Sequence, residues 1–340
     1  MFHKTKFISL IFIIMMLTLV ACSTNTASEP EGNSVQKEQE MSEKDAPDVE
    51  VVTIPELDLQ KKDKGKEVEQ LQKALNHVGY DLDVNGIYDE NTTWAITDFQ
   101  LQQDLMALGV FNEETRKALD KFIKDEKTIE AFLGLPIQAE PVSTNSGTPI
   151  IANPYDQLAL VNKESALPKE YIPDDLVIPD VPFPYVSEDD PKRQMRKVAA
   201  DALEKMFKAA EKEGLEFYAQ SGFRSYEIQE FLFNNYKENH GEEEANKFSA
   251  RPGESEHQSG LTMDITSPEI GPQLVTEFGE TDEGKWLQEH AHEYGFIIRY
   301  PKGKEEITLY QYEPWHIRYV GEKAAKEMME NNLTLEEYYE

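Results

Sequence analysis

Apolar positions along the chain change their spacing several times, and each change marks a different kind of segment. Between residues 61 and 125 they recur at intervals of three and four, the spacing of one helix face. The first such run contains Val68, Leu71, Leu75 and Val78 and ends at Gly79. Two further runs follow, each after a short glycine turn. The region therefore predicts a small all-α domain of three helices.

A second patterned region extends from residue 158 to residue 340. Apolar residues from Met195 to Ala210 repeat at helical spacing, and Gly214 ends the run. Residues 215–219 favour a strand, and Ser225 can cap a further helix. Because helices and short strands alternate here without a regular βαβ rhythm, we expect an α+β domain.

The segments between these regions are polar. Residues 23–60 are rich in Ser, Thr, Asn, Glu, Asp and Pro, and such a composition buries too little apolar surface to offset the entropy of ordering. We expect them to form a disordered acidic tether. Residues 126–157 include a stretch of proline and small polar residues, which predicts a linker between the two domains.

Residues 1–22 have the features of a bacterial export signal. Lys4 and Lys6 precede an uncharged run over residues 7–21, which is too short to span a membrane as a mature helix. The segment ends Leu19-Val20-Ala21-Cys22 and resembles the lipobox of bacterial lipoproteins. That resemblance implies a lipid on Cys22 and an extracytoplasmic protein anchored to the bacterial cell membrane. The alternative is an uncleaved anchor with an incidental cysteine.

Composition narrows the functional classes further. The chain has 34 Lys and Arg against 65 Asp and Glu, a formal net charge of −31. A broad basic face for phosphate backbones cannot be built from this balance, so nucleic-acid binding is excluded. A single cysteine also excludes an internal disulfide framework and a cysteine-built zinc site.

Two of the seven histidines have a carboxylate at an informative distance. Asp264 follows His257, and Glu313 shortly precedes His316. A catalytic zinc needs three ligands, an open position and a separate base, and these four residues could supply the ligands and the base. Pro314 excludes a helix interior, so a local turn would have to bring Glu313 and His316 to one site. Taken singly, either histidine could instead be structural.

Together these residues form the patterns S-x-H-x(6)-D and E-x-W-H. The combination resembles the zinc D-alanyl-D-alanine carboxypeptidases of the VanY type and their relatives that cleave L,D bonds. Further matching stretches are Ser221-Gly222-Phe223-Arg224-Ser225-Tyr226 and Arg318-Tyr319-Val320-Gly321. The likeness spans about residues 158–325. It implies a hedgehog/D,D-peptidase-like fold, with a small antiparallel sheet and flanking helices.

The resemblance also implies roles for individual residues. One Zn²⁺ would be held by His257, Asp264 and His316, and Glu313 would act as general base and then as general acid.

Three further residues match family positions that face the substrate. Arg224 would meet the substrate carboxylate or the developing oxyanion, and Gln229 and Ser255 would hydrogen-bond the peptide. The alternative for Gln229 is a solvated helix residue. The chain departs from the family where Thr262 replaces a frequent Ala and Leu309 replaces a frequent Gly. We expect neither departure to touch a metal ligand, so both bear on pocket shape.

The helical region carries a resemblance of its own. Gly86-Ile87-Tyr88-Asp89 and Gly109-Val110-Phe111-Asn112 are each followed by a threonine three residues later. This G-x-[YF]-[DN]-x-x-T signature resembles the three-helix peptidoglycan-binding module of bacterial wall hydrolases, which implies binding to the wall polymer. The alternative is a helical bundle that has only a structural role and does not bind the wall.

The sequence as a whole therefore predicts a lipid-anchored zinc carboxypeptidase that removes the terminal D-alanine from peptidoglycan stem peptides. An L,D-carboxypeptidase acting on tetrapeptide stems would share the metal machinery and differ in pocket shape. The alternative from another class is a wall-binding or sensory lipoprotein whose peptidase domain has lost turnover.

Overall fold

The computed structural model describes residues 52–135 and 143–339, apart from the side chain of Phe248. The predicted export signal with Cys22, most of the predicted tether and a short part of the predicted linker lie outside the described residues. Among the residues that are described, no helix is both long enough and apolar enough to cross a membrane.

The N-terminal domain is built from three helices, as predicted: α1 (Lys66–Val78), α2 (Glu90–Gln102) and α3 (Glu113–Lys124). The side chains of Asp89 and Asn112 cap α2 and α3, each accepting a backbone N–H at 2.9 Å. Phe99 is fully buried against Phe122, whereas Trp94 is only partly buried.

Two buried glutamines fix the two glycine turns of this domain in the same way. The side-chain oxygen of Gln72 accepts the backbone N–H groups of Asn85 and Gly86 at 3.1 and 3.0 Å. The side-chain oxygen of Gln100 accepts those of Leu108 and Gly109 at 2.9 and 3.0 Å. The repeated motif seen in the sequence is therefore a repeated structural unit.

The second domain is centred on a four-stranded antiparallel sheet of order β3-β4-β6-β5. Its strands are β3 (Tyr218–Ser221), β4 (Thr262–Thr266), β5 (Phe296–Tyr300) and β6 (Glu313–Tyr319), and a separate pair is formed by β1 (Leu176–Val177) and β2 (Met195–Arg196). The flanking helices are α4 (Lys197–Lys212), α5 (Tyr226–His240), α6 (Glu242–Phe248), α7 (Asp282–His290), α8 (Glu305–Thr308), α9 (Glu322–Asn331) and α10 (Leu335–Tyr339). The predicted α+β class, with a small antiparallel sheet, is confirmed.

The apolar face of α4 explains where the main core lies. Leu203, Met206 and Ala210 are fully buried together with Met263 and Ile317, which come from the two central strands. Packing of this face against the sheet leaves the opposite side of β4 and β6 free for polar side chains.

Several predicted boundaries differ from the structure. The tether was expected to reach residue 60, yet Leu59 is 6% exposed and pairs through its backbone with Phe111. The last residues of the predicted tether therefore belong to the helical domain. The predicted strand over residues 215–219 begins only at Tyr218, and α4 begins at Lys197 because Met195–Arg196 pairs with β1.

The prediction of a linker is also wrong for its C-terminal part, because this part is packed between the two domains. Asn153 and Asp156 are 3% exposed. The side-chain amide of Asn153 donates to Thr97 Oγ1 at 2.9 Å, and Asp156 Oδ2 lies 3.2 Å from Lys61 Nζ. A hydrogen bond from Arg196 to the carbonyl of Ala107, at 2.7 Å, ties the domains together again. Residues 52–135 and 143–339 accordingly belong to one compact unit.

Candidate active site

The two central strands bring the first pair of predicted ligands together. β4 and β6 run antiparallel, and Asp264 lies directly opposite His316 in their register. His257 comes from a short 3₁₀ turn, Glu256–Ser259, which precedes β4. Gly260 ends that turn with φ +69°, and a Cβ there would lie 2.9 Å from Arg196 Cγ. A larger residue would be strained at this position, so the glycine allows the turn to deliver His257 to the sheet.

The three side chains present their donor atoms to one point. Nδ1 of His316 lies 3.1 Å from Oδ1 of Asp264, and Nε2 of His257 lies 3.5 Å from Oδ2. One donor atom from each residue lies within 4.8 Å of the others, and all three residues are buried. The predicted ligands are therefore assembled without any rearrangement of the backbone.

Hydrogen bonding selects the nitrogen that His257 offers. Its Nδ1 lies 2.7 Å from the carbonyl oxygen of Gly222, which can only accept, so Nδ1 carries the hydrogen and Nε2 is a free lone-pair donor. Burial, together with the nearby guanidinium of Arg224, lowers the pKa of His257 to about 3 and keeps the ring neutral.

The donor set fits zinc. Two imidazole nitrogens and one carboxylate oxygen form a usual catalytic set, which leaves a fourth position for water or substrate. Burial raises the pKa of Asp264, but His257 and His316 outweigh that effect and lower it overall, so the carboxylate stays ionised. Three buried ligands of this kind are expected to hold a divalent cation.

Glu313 reaches the same point by a route that the sequence did not predict. No separate turn forms around Pro314, because Glu313 and His316 both belong to the continuous strand β6. Instead the pairing register with β5 shifts between Ile298 and Tyr300. Such an irregularity changes the side of the sheet to which the following residues of the strand point. Oε2 of Glu313 consequently lies 4.0 Å from Nδ1 of His316. Burial raises the pKa of Glu313 to about 7, a value suited to a group that accepts and returns a proton near neutral pH.

The three ligands and Glu313 line one cavity, which has a volume of about 390 Å³. Arg224 lines the same cavity. It follows β3, and its backbone N–H donates to the carbonyl of His257 at 3.2 Å. Its guanidinium donates to Gln229 Oε1 at 2.9 Å and to Ser221 Oγ at 3.2 Å. Burial lowers the pKa of Arg224, yet the group remains cationic because Asp264 and Glu313 act in the opposite direction.

The two residues predicted to hydrogen-bond the peptide differ in their surroundings. Ser255 is 4% exposed and lines the cavity. Gln229 is 1% exposed, so it is not a solvated helix residue. Its amide nitrogen donates to the carbonyl of Ala250 at 2.7 Å while its oxygen accepts from Arg224. Gln229 therefore holds Arg224 in place from behind the cavity.

One of the two departures from the family pattern does touch a ligand, contrary to the sequence-based expectation. Oγ1 of Thr262 lies 3.3 Å from Nδ1 of His257. Leu309 does not line the cavity that holds the metal ligands, and it has φ +62°, a left-handed backbone conformation that explains why glycine is frequent there.

Comparison with known proteins agrees with this geometry. Residues 192–322 match the VanY family, described as "D-alanyl-D-alanine carboxypeptidase". The chain is 58% identical over 194 residues to "Putative carboxypeptidase YodJ" of Bacillus subtilis (strain 168), covering 57% of this chain and 71% of YodJ. The chain belongs to the VanY family. Residues 64–119 separately match a family described as "Putative peptidoglycan binding domain".

Two solved structures extend the comparison. LdcB, an LD-carboxypeptidase, is 53% identical with a TM-score of 0.56, over 60% of this chain and 97% of LdcB. A D,D-pentapeptidase VanY from a VanB-type vancomycin resistance cassette, solved in complex with Zn(II), is 33% identical with a TM-score of 0.43. That match covers 54% of this chain and 99% of the pentapeptidase.

Sequence reasoning missed the residues that surround this VanY-type centre. Lys192 lines the cavity, although no motif singled it out. Glu256 is 1% exposed, and its Oε1 accepts from Arg299 Nε at 2.7 Å and from Arg318 at 2.9 Å. Burial favours the neutral acid, but the two arginines hold the pKa of Glu256 well below its usual range. Its only signal in the sequence was its position next to His257.

Proposed function

We propose that the chain is a zinc D-alanyl-D-alanine carboxypeptidase that removes the C-terminal D-alanine from peptidoglycan stem peptides. The observation that supports it most directly is one cavity containing three convergent zinc-type ligands, a carboxyl group with a raised pKa and a cationic guanidinium. A non-catalytic wall-binding or sensory lipoprotein would not need this combination.

The metal would be held by His257 Nε2, His316 Nδ1 and a carboxylate oxygen of Asp264. When bound, zinc would polarise the scissile carbonyl and lower the pKa of a water molecule at the open position. The remaining chemistry falls to side chains of this chain.

Glu313 would accept a proton as the peptide bond is attacked and return it to the leaving amino group of D-alanine. Its raised pKa supports both halves of that role. Arg224 would bind the terminal carboxylate of the substrate or the developing oxyanion, because its fixed, planar donors suit a negatively charged oxygen pair. Ser255, at the cavity wall, would hydrogen-bond the peptide, and Gln229 would act through Arg224.

A second candidate is an L,D-carboxypeptidase acting on tetrapeptide stems. The similarity to LdcB favours it, since that match combines 53% identity with a TM-score of 0.56. The two activities need the same metal ligands and differ in which stem peptide fits the cavity.

One experiment separates these functions. The purified chain is incubated with zinc and with synthetic pentapeptide or tetrapeptide stems, and the products are followed by mass spectrometry. A tetrapeptide formed from the pentapeptide supports the D,D activity, and a tripeptide formed from the tetrapeptide supports the L,D activity. If neither peptide is cleaved, the enzyme hypothesis is wrong.

The location follows from the same proposal. Binding to peptidoglycan by the helical domain and action on its stem peptides place the protein outside the cytoplasm. We further propose that residues 1–22 are an export signal, that Cys22 carries the lipid anchor, and that the chain between Cys22 and the helical domain is a tether. Radiolabelled fatty acid should then be incorporated into the unchanged protein and not into a Cys22→Ala variant.

A further inference from the structure

Glu256 lies directly behind one of the proposed zinc ligands. One of its carboxylate oxygens is fully used by two arginines, as described above. The other, Oε2, lies 3.6 Å from Nε2 of His316. Within the part of the chain that the structure describes, both of these atoms are buried and neither has a hydrogen-bond partner. Two unsatisfied polar atoms that face each other this closely need only a small shift to form a hydrogen bond.

The two histidines of the site are oriented in a parallel way. His257 directs Nε2 to the metal side, and its other nitrogen meets the carbonyl of Gly222. His316 directs Nδ1 to Asp264, and its other nitrogen meets Glu256. Metal-bound histidines usually donate their second N–H to a carbonyl or carboxylate, which fixes the tautomer and the ring plane.

From this geometry we infer that Glu256 is a positioning residue of the metal centre: it accepts a hydrogen bond from Nε2–H of His316 and so keeps Nδ1 free for the metal. The inference rests on the proposed zinc ligands. Glu256 is not one of the three proposed ligands, and the ligand motif does not include it.

The position of Glu256 depends in turn on the C-terminal helix. Arg299, which donates to Glu256, is fully buried and binds Glu336 of α10 with two further hydrogen bonds of 2.8 and 2.6 Å. Arg318, the second arginine that donates to Glu256, also donates to the carbonyls of Gln157 and Ala159. Two carboxylates and two guanidinium groups thus form a network of zero net charge, in which Glu256, Arg299 and Arg318 are buried and Glu336 is partly exposed. The last helix of the chain is therefore connected to the metal site through Arg299 and Glu256.

A Glu256→Gln variant tests the inference because the glutamine has only one acceptor oxygen, for which the two arginines and His316 would all compete as donors. The arginines can only donate, so the single oxygen of the glutamine must face them and its NH₂ group must face His316. Nε2 of His316 would then have to accept, and the hydrogen would move to Nδ1, the nitrogen needed for the metal. We expect the dissociation constant for zinc to rise by roughly 10–100-fold.

The matched control is Glu254→Gln, two residues earlier in the same loop. Glu254 is also buried, but its Oε1 accepts from Thr148 Oγ1 at 2.6 Å and it takes no part in the network. Zinc affinity is measured by competition with a chromophoric chelator, which needs no turnover. Equal zinc affinity for E256Q and E254Q would overturn the inference. Failure of the unchanged chain to bind zinc would instead overturn the ligand assignment on which it rests.

A second measurement remains decisive if E256Q does not fold. In the ¹⁵N NMR spectrum of the zinc-loaded unchanged chain, the inference requires His316 to carry its hydrogen on Nε2. The His316 signals are assigned by their loss in a His316→Asn variant. A hydrogen on Nδ1 of His316, with the metal on Nε2, would contradict the inference.

The connection to α10 is tested by two variants of adjacent residues in that helix. Glu336→Gln removes one of the two negative charges of the network and should weaken zinc binding, by less than E256Q does. Glu337→Gln is the control, because Glu337 lies next to it on the helix but pairs with Lys304 instead. If the zinc affinity of E336Q equals that of the unchanged chain, helix α10 does not influence the metal centre.

Discussion

Asp264 and His316 face each other across two adjacent antiparallel strands, and Oδ1 of Asp264 lies 3.1 Å from Nδ1 of His316. In the metal-free protein this carboxylate acts as a partner for the imidazole. In the zinc-loaded protein both groups would turn the same atoms to the metal. Metal and proton therefore compete for one nitrogen of His316.

This competition predicts that zinc binding releases a proton. Burial lowers the pKa of His316, but the surrounding carboxylates of Asp264, Glu256 and Glu313 raise it to about 9. At pH 7 the metal-free ring is therefore protonated, and the proton must leave before Nδ1 can bind zinc. Apparent zinc affinity should fall about tenfold for each pH unit below 9.

Calorimetric titration of zinc in buffers with different ionisation enthalpies measures the number of protons released. We expect about one proton per zinc near pH 7. Binding heats that do not depend on the buffer would show that His316 is already neutral in the metal-free protein.

Glu313→Gln should abolish proton transfer while leaving the metal in place. Gln has nearly the same shape but cannot accept and return a proton, so kcat/KM should fall by about 10²–10⁴-fold. Zinc content, measured by atomic emission, should not change because Glu313 is not a ligand. Normal turnover by this variant would rule out Glu313 as the base.

Arg224→Lys tests carboxylate recognition. Lysine keeps the charge but loses the planar donor fork and the hydrogen bonds to Gln229 and Ser221. A charged hydrogen bond lost at this position costs about 1.5–3 kcal/mol, so kcat/KM should fall roughly 10–150-fold. A stem peptide with an amidated C-terminus is the control substrate. If Arg224 binds the carboxylate, the variant should lose much less activity on the amide than on the acid.

The contact between the two domains predicts that they unfold together. Asp156→Ala removes one of the two carboxylates that pair with Lys61, the other being Glu90, and should reduce the free energy of unfolding by about 1–3 kcal/mol. Calorimetry should still show one transition, at a lower temperature. Asp120→Ala is the control, because its exposed pair with Lys124 contributes little. Two independent transitions in the unchanged chain would show that the interface is not cooperative.

Leu309 should be a site of stored backbone strain. Its φ of +62° is costly for a residue with a Cβ, and its side chain is 44% exposed, so little packing is lost on its removal. Leu309→Gly should raise the free energy of unfolding by about 0.5–1 kcal/mol, after the greater chain entropy of glycine is counted. Chemical denaturation measures the change, and a decrease in stability would contradict this explanation.

The sequence predicted the metal ligands because their residue types and spacing are characteristic, and the strand register then placed Asp264 beside His316. It did not predict how Glu313 joins them, since a shift in strand register depends on pairing with a distant strand. Asn153 and Asp156 were assigned to a linker because their polar composition does not reveal that both are buried at an interface. The network around Glu256 was missed for a similar reason. Arg299 and Glu336 are distant in sequence and meet only in the folded chain.

Binding of one zinc ion by His257, Asp264 and His316 is the basis of the proposed function. A crystal structure of the zinc-loaded chain, with anomalous difference maps recorded on either side of the zinc absorption edge, tests it most directly. We expect one strong peak at about 2.0–2.2 Å from Nε2 of His257, Nδ1 of His316 and a carboxylate oxygen of Asp264. A zinc peak elsewhere, with these three side chains unliganded, would contradict it.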